Sequence, residues 1–181
     1  MQDRTSSPLP SAFPGGQLRR LRPGDLAPFQ AYRSMPELGR FQGWSIMSDE
    51  EAAAFLAVMN DAPLFTPDAW VQLGIADPDG DQLIGDIGLF LAADGLSGEI
   101  GFTLAPSAQG RGIATEAVRK ALELFFGLTS VERILGITDV RNAASVRLLQ
   151  RAGFRYCETR HTVFRGEPCS EEIHAVSRND V

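Results

Sequence analysis

Residues 109–112 read Gln-Gly-Arg-Gly and stand directly ahead of a helical run, IATEAVRKALELFFG. The chemistry this placement suits is anion binding. The first amides of a helix have no partner within it, and the aligned peptide dipoles add roughly half a positive charge at that end. Gly110 and Gly112 let the backbone take conformations closed to other residues and come close to a phosphate. Arg111 adds a cation matched to phosphate oxygens. A plain strand-to-helix turn that needs glycine would use the same residues. Two familiar phosphate motifs do not fit. The nucleotide P-loop ends in Gly-Lys-Ser/Thr, and the dinucleotide fingerprint wants a third glycine where Thr115 stands, opening a parallel βαβ unit.

The elements that must position this loop follow from periodicity and turn chemistry. Residues 1–16, rich in Ser, Pro and Gly, read as a loose tail ahead of a single domain at 17–181. They lack the basic start and apolar stretch of a signal peptide. QLRRLRP is a strand, and Asp25 is placed to cap a helix through LAPFQAYRS. GRFQGW reads as loop. Ser48 and Glu51 form a capping box ahead of EAAAFLAVMN. AWVQLGIAD, QLIGDIGLFLA and GEIGFTLAP then make an antiparallel meander. The second half alternates: the helix after the glycines with Gly127 as its stop, the strand VERILGIT, a helix from Asn142 to Gly153, and a closing hairpin around Gly166 and Pro168. The fold class is therefore α/β of the α+β kind, a mixed, mostly antiparallel central sheet flanked by helices.

Composition narrows the function. The 181 residues are 44% hydrophobic and 22% charged, ordinary for a globular protein. No apolar run reaches the roughly 20 residues of a membrane span, so no membrane partner is expected. Two cysteines, Cys157 and Cys169, are too few for a disulfide framework and suit a reducing, cytoplasmic setting. A net charge of −6 speaks against nucleic acid and is compatible with a cationic or amine-bearing acceptor. No metal is called for. His161 and His174 have no recognisable partner and read as exposed.

Gln109-Gly110-Arg111-Gly112-Ile113-Ala114 resembles the Q/R-x-x-G-x-G/A signature of the GNAT superfamily of N-acetyltransferases, with alanine in the last slot. RLRPGDLAPFQAYRSMPELGRFQGW, QLIGDIGL, EIGFTLAPSAQGRGIATEA, VRNAASVRLLQRAGF and FRGEPCSEEIHAVSR match its RimJ/RimL-type branch in order and spacing, covering roughly 17–178. The resemblance implies a sheet splayed between the strands at 98–105 and 131–138, with acetyl-CoA as co-substrate in the gap. It puts the pantetheine on the backbone of Phe102, Thr103 and Leu104, and the pyrophosphate on Gln109, Gly110, Arg111, Gly112, Ile113, Ala114 and Thr115. It further places Asn142 on the pantetheine arm and Ser145 near the sulfur. Asn142 also suits a helix cap, and Ser145 also suits a solvated first turn.

The reaction implied is direct acetyl transfer to a primary amine, of a protein N-terminus or a small molecule. Such amines, with pKa values of about 10.4 or about 8, must lose a proton before attack. Glu99 is the candidate base, because strand alternation sets Glu99, Gly101 and Thr103 on one face; an ordinary surface glutamate is the alternative. Amides near Leu104 could hold an oxyanion. The departing thiolate, with a pKa of about 8.5, needs only a weak acid, Ser145 or Tyr156. Glu116 sits in the first helical turn, where a carboxylate is favourable anyway. Trp44 lines the acceptor pocket in the branch's pattern, or is a core aromatic. A homodimer is compatible with the branch. A non-catalytic acyl-CoA-binding module is the competing class, and a nucleotide switch is disfavoured by the absent P-loop lysine.

Overall fold

The computed structural model describes residues 8–180. One mixed sheet of eight strands runs through it, in the order β1-β2-β3-β4-β5-β6-β8-β7. The strands are β1 (Ser11–Phe13), β2 (Gly16–Arg20), β3 (Ala69–Ala76), β4 (Leu83–Leu91), β5 (Ser97–Leu104), β6 (Arg133–Asp139), β7 (Arg155–Phe164) and β8 (Glu167–Ser177). The helices are α1 (Leu26–Arg33), α2 (Pro36–Gly39), α3 (Asp49–Asp61), α4 (Ile113–Leu128) and α5 (Ala143–Arg151). Every neighbouring pair is antiparallel except β5 and β6, which are joined through α4 and run parallel. The mixed, mostly antiparallel sheet expected from the sequence is the one observed.

α4 forms because Ile113, Ala117, Val118, Ala121, Leu122 and Phe125 recur at helical spacing, and all of them are buried. They pack on the β5 face that carries Ile100 and Leu104. Burying Phe125 alone is worth about 1.5–3 kcal/mol. Its ring lies so near the sheet that a Cβ on Gly98 would stand 2.5 Å from it, so that position must be glycine. On the opposite face α1 and α3 close a smaller core of Leu21, Phe29, Tyr32, Leu56 and Leu83. The Ser48–Glu51 capping box that starts α3 is present with both of its hydrogen bonds.

Three local expectations are corrected. Residues 8–16 are not a loose tail: Ser11–Phe13 pairs with β2, and Leu9 and Phe13 are buried in the main core. Residues 1–7 of that segment lie outside the described residues. Gly127 does not stop α4, which continues to Leu128; the turn after it is tied by Thr129 Oγ1 donating to Phe125 O at 2.7 Å. The GRFQGW stretch is loop from Arg40 onward as expected, and the short helix α2, where no element was expected, precedes it. Asp25 does not cap α1. Its carboxylate accepts two bonds of 2.8 Å from the Arg19 guanidinium, which is only 2% exposed and needs an anion, and one from the Arg22 amide.

The register creates the site. β5 pairs with β4 without interruption from Gly98 to Leu104. Against β6 it pairs only from Ser97 to Ile100. Beyond Ile100 the two parallel strands part, and one edge of β5 is left open.

Candidate active site

In the stretch past the fork, the Ala105 amide donates to Ile84 O on β4 at 2.8 Å. Strand alternation then turns the backbone groups of Thr103 to β4 and those of Phe102 and Leu104 into the fork. The carbonyls of Phe102 and Leu104 accept from glutamine side chains: Gln42 Nε2 at 3.2 Å and Gln109 Nε2 at 2.9 Å. Of the three residues whose backbone was expected to face the gap, Phe102 and Leu104 turn theirs into the fork, each with its carbonyl held by a glutamine side chain. Thr103 does not, because its backbone belongs to the β4 ladder; its hydroxyl instead accepts from Trp44 Nε1 at 3.3 Å.

At the mouth of the fork the chain turns through Gly110 and Gly112, both at positive φ, +75° and +79°. That conformation costs a residue with a Cβ roughly 1–2 kcal/mol. Among the described residues, the amides of Gly110, Arg111, Gly112, Ile113 and Ala114 have no acceptor. The flanking amides are spent, Gln109 N on Pro106 O and Thr115 N on Gly112 O. The expected cradle of 109–115 therefore narrows to five consecutive amides at the N-terminus of a 16-residue helix. Nothing lies within 4 Å of where a Cβ on Gly110 or Gly112 would be, so conformation and open approach require these glycines, not packing.

These groups line one cavity of about 610 Å³. Phe102, Thr103, Leu104, Gln109, Gly110, Gly112, Ile113, Ala114, Thr115, Asn142 and Ser145 all border it. Arg111 is exposed and does not; Arg151, from α5, does. Asn142 caps α5 as expected, its Oδ1 accepting from the Ser145 amide at 3.2 Å. Ser145 also borders a smaller cleft of about 30 Å³ beneath, between Gly101 and Ile137. Glu37, Leu38, Phe41 and Gln42 add a wall that the sequence did not announce. They sit some 60 residues from β5, and no local pattern marks them.

The remaining candidates separate. The unbroken β4–β5 register keeps Glu99, Gly101 and Thr103 on one face. Glu99 is half-buried and has no hydrogen bond or ion pair among the described residues. Burial first, and the nearby Glu171 carboxylate second, raise its pKa above the ordinary 4.5, with Arg160 opposing. Tyr156 is exposed on the outer strand, its hydroxyl 3.0 Å from Thr159 Oγ1, and does not border the cavity. Trp44 is half-buried, with the Arg33 guanidinium 4.5 Å from its ring centroid. His161 is exposed, but His174 is fully buried opposite Gly136, bonded to Glu172 at 2.8 Å. The missing side chain at Gly136 leaves room instead for Leu149 of α5, whose side chain fills the place a Cβ would take. No helix among the described residues is long and apolar enough to cross a membrane.

The profile of the acetyltransferase (GNAT) domain family matches residues 17–155. The chain belongs to that family. It is an acetyltransferase. The uncharacterized N-acetyltransferase YoaA of Bacillus subtilis is 30% identical over 139 residues, covering 76% of this chain and 78% of that protein. An acetyltransferase of the GNAT family from Bacillus anthracis has the same fold, with a TM-score of 0.83 at 18% identity over 93% of this chain and 98% of that one. The spermidine N-acetyltransferase of Vibrio cholerae, solved with CoA and spermine, superposes with a TM-score of 0.77 at 20% identity, over 92% of this chain and 98% of that one.

Proposed function

We propose that this acetyltransferase moves an acetyl group from acetyl-CoA directly to a primary amine, on a protein N-terminus or a small molecule, as the RimJ/RimL-type branch does. One observation carries the reading: the open edge of β5 and five free amides at the start of α4 line the same cavity. A long ligand with amide groups at one end and phosphates at the other fits that order of donors. The Vibrio complex with CoA and spermine supports both the co-substrate and an amine acceptor.

Acetyl-CoA supplies an acyl carbon activated by a thiolate leaving group. The residues of this chain supply the rest. Phe102 and Leu104 offer backbone to the pantetheine, and Gly110 to Ala114 hold the pyrophosphate, with Arg151 as a nearby cation. Asn142 fixes the first turn of α5, and with it Ser145, at the fork. Glu99 takes the amine proton through a water, its raised pKa making it a better acceptor near neutrality than an ordinary glutamate. Ser145 is favoured over Tyr156 as the weak acid that protonates the thiolate, since it borders both the cavity and the cleft. Trp44 lines the acceptor side. With both cysteines free, we place the protein in the cytoplasm.

Gly112→Val tests the cradle. Valine is strained at φ +79° and puts its branches where phosphate should come. Calorimetry with acetyl-CoA should show at least a tenfold loss of affinity, about 1.4 kcal/mol, in a variant with native circular dichroism. Unchanged affinity in the folded variant removes the phosphate reading. Release of free CoA over a panel of amines then separates a transferase from a module that only binds acyl-CoA.

A further inference from the structure

Residues 40–44 cross the fork between β5 and β6 and are tied to both sides of it. On the β5 side, Gln42 Nε2 donates to Phe102 O at 3.2 Å and Trp44 Nε1 to Thr103 Oγ1 at 3.3 Å. On the β6 side, Arg165 Nη2 donates to the carbonyls of Gln42 at 3.1 Å and Trp44 at 2.5 Å. Arg165 stands at the tip of the β7–β8 hairpin, and β8 is hydrogen-bonded along the whole of β6. A second tie on that side is Arg141, just past β6, whose guanidinium lies 5.5 Å from the Phe41 ring and is held by Asp139 at 2.7 and 2.9 Å.

Arg165 is informative because of what it does not do. Among the described residues it forms no ion pair, although Glu167 is two residues away. Its guanidinium is spent on two loop carbonyls some 120 residues distant and on the ring of Phe164 at 5.3 Å. A charged donor shared between two carbonyls fixes the loop more firmly than a neutral one would. The loop it fixes carries Phe41, which borders both the large cavity and the cleft below it.

We propose that residues 40–44 are a strap closing the fork and that Arg165 is the positioning residue that holds it shut. The closed strap keeps water from the thioester while the amine attacks. The catalytic half of this inference rests on the acetyl-CoA reading above. The competing reaction is hydrolysis: water adds to the acyl carbon, the C–S bond breaks, and acetate, the CoA thiol and a proton leave. Excluding water from a closed site is what suppresses such a side reaction.

Two variants of the full chain, Arg165→Ala and Arg165→Lys, test it. Hydrogen exchange at 40–44 should rise in Arg165→Ala with α4 unchanged, and Lys should restore part of the protection. With acetyl-CoA and an amine the wild type acetylates, the ratio of hydrolysis to transfer should rise about three- to tenfold in Arg165→Ala, with acetyl-CoA affinity within about twofold. Lys should fall between. Unchanged exchange at 40–44 overturns the strap whatever the co-substrate. Raised exchange with hydrolysis and transfer altered by the same factor overturns the shielding role. A wild type that binds no acetyl-CoA overturns the functional reading and the shielding with it, leaving the exchange result to judge the strap alone.

Discussion

Two carboxylates lie on the same face of the sheet and are treated in opposite ways. Asp86, opposite Thr103 on β4, is fully buried and fully bonded. It accepts from Arg33 Nε at 3.0 Å and Nη2 at 2.5 Å, from the Tyr32 hydroxyl at 2.5 Å, and from Gln72. Glu99, four residues along β5 from Thr103, is half-buried with no bonded partner and another carboxylate nearby. The first is a structural ion, whose every lone pair is matched and whose removal should hurt folding. The second has no protein partner for its lone pairs, which costs some stability and suits the base role proposed for it. The two regions meet at Trp44, whose ring rests on Arg33 and whose indole N–H reaches Thr103.

The sharpest way to break the comparison is at Asp86. Asp86→Ala leaves the buried Arg33 charge unpaired and strips Tyr32 and Gln72 of their acceptor. The expected loss is about 3–5 kcal/mol in denaturant unfolding, because an uncompensated buried charge remains. A loss below about 1 kcal/mol, the range of exposed pairs, would show that the cluster is solvated in solution.

Glu99→Gln should behave in reverse. Turnover should fall about 10²- to 10⁴-fold with acetyl-CoA affinity nearly unchanged, the mark of a group used in the chemical step. The loss should narrow as pH rises, because more amine then arrives already neutral. Stability should move the other way. A carboxyl whose folded pKa is raised above its unfolded 4.5 contributes stability that is full below that value and lost as pH rises through the folded pKa. At neutral pH the variant should therefore melt slightly above the wild type, and the gap should close below about pH 4.5. Wild-type turnover across the pH range would return Glu99 to the sheet surface and leave solvent as the proton acceptor.

What could be read from residue order divides along a physical line. Capping and turn chemistry act over three or four residues, so the Ser48–Glu51 box, the Asn142 cap and the two left-handed glycines were legible. The narrowing of the cradle to 110–114 was not, because it depends on which amides the turn itself consumes. The N-terminal hairpin was hidden by composition: two apolar anchors, Leu9 and Phe13, outweigh the prolines and serines around them. Asp25 looked like a cap until Arg19 claimed it from the neighbouring strand. Phe41, Gln42 and Arg165 meet only through contacts of 60 to more than 120 residues in sequence separation, for which a single chain carries no periodic signal.

The finest cut at the comparison is Glu171→Gln. Glu171 bonds Arg160 at 2.9 Å and lies close enough to Glu99 to raise its pKa, while Arg160 lowers it. Removing the Glu171 charge takes away a like charge and frees Arg160 to act on Glu99 alone, so both changes favour the ionised form. The folded pKa of Glu99 should fall. A carboxylate accepts a proton only when ionised, so with Glu99 in the proposed base role the acidic limb of the kcat/KM profile should move to lower pH, with the plateau rate little altered. Arg160 and Glu171 form an exposed pair, so the fold should tolerate the change within about 0.5 kcal/mol. The effect should also fade at high salt, which screens exposed charges and leaves burial as the main cause of the shift. An acidic limb that stays where it is, or moves upward, would mean that the titrating group is not Glu99.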